Sequence, residues 1–227
     1  MNNQTLLIKV KERLNKLASD DYDNIENWQI IEAFNKAQLE FARREAKKGE
    51  NEKQTIEDIN ILLTTLPLSG LTVKHYFESS VLPGDYLSFK RVSFNGVTSE
   101  CIEERPFKVY LGEEANTDEY YRDAEKQPSF EWAETFITFI GNKLRIHTND
   151  KFTIKSPKLT YYRQPKNIQI IGTIDPYTGI ISTVEQICEF KDDVVEFLID
   201  ECVLILSGDI ESMIQTQRIS QTIQRTE

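Results

Sequence analysis

Adjacent carboxylates are the first residues whose type suits chemistry: Glu103 with Glu104, and Glu113 with Glu114. Paired acids act as general acid and base when both reach one substrate. Neighbours along an extended strand point to opposite faces, so neither pair converges and no catalytic role is expected of them. The two histidines, His75 and His147, lie in alternating apolar stretches and read as packing or surface residues. Cys101, Cys188 and Cys202 are an odd set of three without a Cys-x-x-Cys spacing. They fit reduced, partly buried thiols of a protein made in a reducing cytoplasm, not a disulfide framework. Neither HExxH nor a Cys/His cluster occurs, so no metal site is expected. The nine glycines form no GxGxxG, GxxxxGK[ST] or GxSxG, so no cofactor cradle and no serine nucleophile are expected. The reading is of a protein that is not an enzyme and carries no cofactor.

Charge is the next signal. The formal net charge of −10 argues against a protein that coats nucleic acid. Residues 100–134 hold eleven acids against four bases, a net −7 that makes up most of the total. Glu103, Glu104, Glu113, Glu114, Asp118 and Glu119 are its candidate acidic surface, facing either a partner or only solvent. Residues 151–174 carry Lys151, Lys155, Lys158, Arg163 and Lys166 and no acid. They suit either a neighbouring copy's acidic stretch or edge strands whose lysines block stray pairing. Tyr161 and Tyr162 read as sheet packing in preference to base stacking.

The elements that would position these residues come from periodicity. A chain of 227 residues, 39% hydrophobic and 28% charged, is that of a folded protein, with no apolar run of membrane length and no secretory signal at its start. Leu7, Val10, Leu14 and Leu17 make a helical stripe, 20–24 a break with Asp23 or Asn24 as cap, and about 25–48 a second helix striped by Ile30, Phe34, Ala37 and Phe41. From about 55 to 183 the period changes to two. Strands are expected across 71–78, from Leu87 to an Asn95-Gly96 turn, across 135–140 and 143–147 about Gly141-Asn142, and at 152–154 and 159–161 on either side of Ser156-Pro157. A short helix is expected over 116–126 and a turn at Asp175–Gly179. Val195, Leu198, Cys202 and Ile205 stripe a nearly all-apolar last helix, interrupted at Gly208, and 215–227 is a polar tail.

The expected fold is α+β: a discontinuous helical bundle with an inserted antiparallel β domain. Its parts are a helical hairpin at 1–50, the β insert at 55–183, a C-terminal bundle helix at 184–214 and the tail at 215–227. The last helix has too many apolar faces for local partners, so it returns to the N-terminal helices. Phe34, Phe41, Leu198 and Ile205 are expected to be buried together.

Three stretches carry a family resemblance. Ala33-Phe34-Asn35-Lys36-Ala37-Gln38, followed by Phe41 and Arg43-Arg44, resembles the second helix of head-to-tail connector proteins of tailed bacteriophages. Gly141–Ile146 followed by Tyr161-Tyr162-Arg163-Gln164-Pro165 resembles their β segment, and Asp192–Cys202 their closing helix. The chain is most similar to podovirus-type adaptor rings, including those of crAss-like phages. The resemblance implies a structural virion protein, made in the bacterial host, at the head–tail junction. Copies would close into a ring, commonly of about twelve, through a heterologous interface. The partners would be further copies, the portal protein and adjacent tail or ring proteins, with DNA only in passage, bound without specificity, and no membrane. Candidate interface residues are Phe34, Phe41, Arg43 and Arg44, then Ile214, Arg218, Ile219, Ile223 and Arg225, the tail being expected to order on the portal or an adjacent subunit. The alternative is a carbohydrate- or peptide-binding β module on a helical oligomerisation stalk.

Overall fold

The computed structural model describes residues 1–17, 25–52, 57–99 and 103–209. In chain order the elements are α1 (Asn3–Leu17), α2 (Asn27–Glu52), β1 (Leu63–Pro67), β2 (Gly70–Val73), β3 (Tyr76–Ser79), β4 (Tyr86–Val97), β5 (Arg105–Pro106), β6 (Lys108–Leu111), α3 (Thr117–Arg122), β7 (Glu134–Ile140), β8 (Lys143–His147), β9 (Thr153–Arg163) and α4 (Asp192–Asp209). The fold is α+β, with a sheet unit inserted in the chain between an N-terminal helix pair and a C-terminal helix. The sheet unit is Leu63–Arg163, and the helical unit is Met1–Leu62 with the chain from Gln164 on. The insert is therefore narrower than the expected 55–183. Residues 164–183 hold their contacts with the helices.

In the helical unit α4 is the centre. It packs against both α1 and α2, while α1 and α2 touch each other little, so the N-terminal pair is not a self-contained hairpin. The cause is α4's apolar girth: Val194, Val195, Leu198, Ile199, Cys202 and Val203 are all buried, more than one neighbour can cover. Phe34 and Phe41 of α2 are buried, as is Leu198 of α4, whereas Ile205 is half-buried. The inward line of α1 is Asn3, Leu6, Val10 and Leu14, with Leu7 half-buried. This spacing of three and four residues is a helical stripe shifted one position from the expected Leu7. Lys9 and Arg13 flank it and pair with Glu196, and Arg13 also reaches Asp200 at 2.5 Å. The last helix begins at Asp192, not 184, and continues through Gly208 to Asp209.

Buried amides fasten 164–191 to the helices. Asn35 accepts from the Ile168 N–H at 2.8 Å, and Gln38 donates to Asn35 at 2.8 Å and to the Lys166 carbonyl at 3.1 Å. Asn3 donates to the carbonyls of Gln169 (3.0 Å) and Gln186 (3.1 Å). An apolar residue at 35 would leave two buried polar groups unpaired. Asn35→Leu is therefore expected to destabilise the helical unit by about 1–3 kcal/mol, read as a lower urea midpoint at unchanged slope.

The sheet unit is a sandwich. One sheet has the order β1-β9-β4-β5, the other β2-β3-β8-β7-β6, and all pairs are antiparallel except β6 with β7. The expected antiparallel insert thus carries one parallel pair, in which β6 lies beside Glu134–Ile137 of β7. Both sheets feed one core that includes Val92, Phe94, Phe107, Ile137, Leu144 and Leu159. Phe107 sits 5.1 Å from Phe94 and 4.3 Å from Phe152, ring centre to ring centre.

Several turns differ from expectation. Asn95-Gly96 is not a hairpin turn but lies inside β4, paired to β5 on one side and β9 on the other. Glycine is needed there because a Cβ would stand 2.3 Å from the Phe107 ring. The alternation across 71–78 hides a reversal at Lys74-His75, with Val73 paired to Tyr76. That turn is held from outside, since the His75 carbonyl accepts the N–H groups of Thr148 and Asn149. Ser156-Pro157 is a bulge within the single strand β9, with Ser156 at φ +50°. Gly141-Asn142 does connect β7 and β8, Gly141 taking φ +56°. The helix expected over 116–126 is only Thr117–Arg122, preceded by a 3-10 turn at Glu114–Asn116.

Candidate functional site

Phe34 and Phe41 are interior residues of the helical unit and present no surface to a partner. Arg44 is engaged within the unit as well. Its Nη1 pairs with Glu201 of α4 at 2.7 Å, and the guanidinium lies 5.3 Å from the Phe197 ring centre. Of the four α2 candidates, only Arg43 is exposed. Ile214, Arg218, Ile219, Ile223 and Arg225 lie outside the described residues, as do Cys101 and the break at 20–24.

All six acidic-surface candidates are exposed. Glu104 accepts from Asn95 at 2.8 Å, Glu113 from Asn116 at 3.3 Å, and Glu114 pairs with Arg145 at 3.3 Å. Asp118 and Glu119 stand in the first turn of α3. The residues are spread over the approach to β5, the 3-10 turn with the residue before it, and α3. Lys158 does not block an edge, because it pairs with Pro67 of β1 on one side and Ser93 of β4 on the other. Among the described residues no three His, Cys, Asp or Glu side chains converge as a metal site. Nor is any described helix long and apolar enough to cross a membrane.

The cluster most like a catalytic centre surrounds His147. Its Nδ1 is 2.7 Å from the Tyr121 hydroxyl, its Nε2 is 2.9 Å from the Thr138 hydroxyl, and Phe136 stacks on the ring at 4.2 Å. Burial, aided by the Arg145 charge, pushes its pKa from 6.5 down to about 4, and burial raises Tyr121 to about 12. A neutral imidazole 2% exposed, with both nitrogens bonded, holds α3, β7 and β8 together. His75 is exposed and 3.1 Å from Asp150. Tyr161 and Tyr162 are buried, and the Tyr161 hydroxyl donates to Asp85 at 3.1 Å, so neither ring can stack on a base. Cys188 and Cys202 are free and buried, and burial raises both thiols, Cys188 to about 11. Neither is a thiolate at neutral pH.

One hollow in the sandwich has the mixed lining of a ligand site: Tyr110, Leu111, Tyr120 and Phe136 beside Glu125 and Gln127. The Tyr110 hydroxyl is already engaged with Glu134 at 2.9 Å.

Sequence reasoning missed the segment 169–187. It leaves its buried base as an arm that doubles back. Gln169 bridges to Gln186 and Ile174 to Ile181, and the tip is the expected Asp175–Gly179 turn. The Gly179 N–H donates to the Asp175 carbonyl at 2.8 Å, with Gly179 at φ +70°. Ile171, Ile174, Tyr177, Ile180, Ile181 and Val184 are all exposed, Ile180 by 69%, and Ile187 follows on the return. The legible signal was six isoleucines and a valine in a stretch with two charges. Comparison of the chain with protein-family models and with curated proteins gave no match.

Proposed function

We propose that this chain is a non-enzymatic structural protein of a tailed bacteriophage, a ring subunit between portal and tail through which packaged DNA passes. The observation that carries this reading is the return of α4 to α2 across an inserted sandwich, with the motif amides Asn35 and Gln38 locking the connecting segment. The motif residues of the resemblance thus lie in the buried framework of the helical unit, and likeness of plan carries function only as analogy. Net charge supports it: a −10 chain repels phosphate, as a bore that must release DNA requires. The partners are further copies, the portal and the next ring, and the place is the virion.

A second reading, a glycan- or peptide-binding β module, is favoured by the Tyr110–Tyr120 hollow alone. The two separate by experiment. A chain ending at Asp209 is expected to keep its far-ultraviolet spectrum and melting curve yet no longer co-sediment with the portal ring of the same virus. Full co-sedimentation of the truncated chain would remove the role given to the tail at 215–227. Saturable binding of a glycan or peptide, abolished by Tyr120→Ala, would favour the second reading.

A further inference from the structure

We infer that the apolar arm 169–187 is a self-association surface, covered in the assembled protein by a second copy of this chain. The inference rests on the self-assembly part of the proposed function and names the surface that performs it.

Three observations lead to it. First, size: a half-exposed isoleucine or tyrosine offers on the order of 100 Å², so the arm's seven apolar residues approach the ~800 Å² per partner of a standard interface. Seven exposed large apolar residues within one short arm are a denser set than the singly scattered hydrophobics of an ordinary monomer surface. Second, charge: in a chain that is 28% charged, 169–187 has only Asp175 and Glu185 and no base. Both acids have local partners. Asp175 accepts from the Tyr177 N–H at 2.9 Å and from Gln169 at 3.3 Å, and Glu185 accepts from Asn3 at 3.5 Å. Charge depletion at the centre of a patch is the compositional mark of an interface core. Third, identity of the partner: two copies of a −10 chain repel over most of their surface, and the arm is where they meet without bringing like charges together. A partner selected by charge would find almost none here to read.

The arm's base is rigidly held while its apolar side chains stand outside the core. Substituting them therefore tests association apart from folding. The experiment is light scattering across a wide concentration range on the full chain and on Ile180→Glu combined with Val184→Glu, with a melting curve for each. The native chain is expected to associate, and the double variant to associate at least about thirtyfold more weakly with unchanged melting. Should the double variant melt early, Ile180→Ser with Val184→Ser replaces it, with the same direction expected. A native chain that associates together with an arm variant that associates equally well overturns the arm and leaves self-assembly standing. A native chain that stays monomeric throughout overturns both. If removal of 210–227 abolishes association while the arm variant does not, the contact belongs to that segment and the proposal fails.

Discussion

Phe34→Ala is expected to destabilise the helical unit by about 3–5 kcal/mol. Phe34 is wholly buried on α2, the helix that packs along α4. Removing the ring takes away its apolar burial and leaves a cavity in the core of the helical unit. Each unit carries one tryptophan, Trp28 on α2 and Trp132 in the sandwich. A Trp132→Phe background therefore lets fluorescence follow the helical unit alone in urea. The midpoint should fall sharply on Phe34→Ala, while in a Trp28→Phe background the sandwich transition should move little. An unchanged helical transition would mean that α2 and α4 do not share a core.

The second large effect is a pH dependence confined to the sandwich. In the folded chain His147 takes a proton only near pH 4, against 6.5 for an ordinary histidine. Between those values the unfolded chain binds more protons than the folded one, so stability rises with pH through that window. The contribution is complete above about 6.5 and is lost as pH falls towards 4, by about 3 kcal/mol in all. With His75→Gln removing the other histidine, this loss should be visible in urea midpoints at Trp132. His147→Gln should flatten the curve across the window and lower stability at neutral pH, since the Tyr121 and Thr138 hydroxyls lose a well-placed partner. A native curve already flat between pH 4 and 6.5 would place His147 in water.

What the sequence revealed follows from range. Strongly periodic helices were legible because burial on one face repeats within a few residues. α2 and α4 could be paired without a structure, as their stripes were too wide for local neighbours. The Gly141-Asn142 and Asp175–Gly179 turns were legible because their backbone chemistry is local. Asn95-Gly96 misled for the opposite reason. The glycine answers to Phe107, a residue eleven positions on that packs against its missing side chain. Lys74-His75 turns with no turn-forming residue because tertiary hydrogen bonds from Thr148 and Asn149 hold it. For the assembly surface, the interface candidates taken from α2 were apolar or aromatic-flanked residues, which one sequence cannot sort into core and surface. Phe34 and Phe41 belong to the core of their own unit, and half-buried Arg44 is held by Glu201. The arm escaped notice because its isoleucines lack a sharp period, and only exposure distinguishes them from strand residues facing a core.

The measurement that bears most directly on ring assembly is negative-stain imaging of the purified full chain, alone and mixed with the portal ring of the same virus. Class averages should show closed rings with an open centre, and these should be lost in the Ile180→Glu, Val184→Glu variant while its melting curve stays native. Single protomers or small open clusters in both preparations, at concentrations where the chain remains folded, would contradict a ring-forming connector.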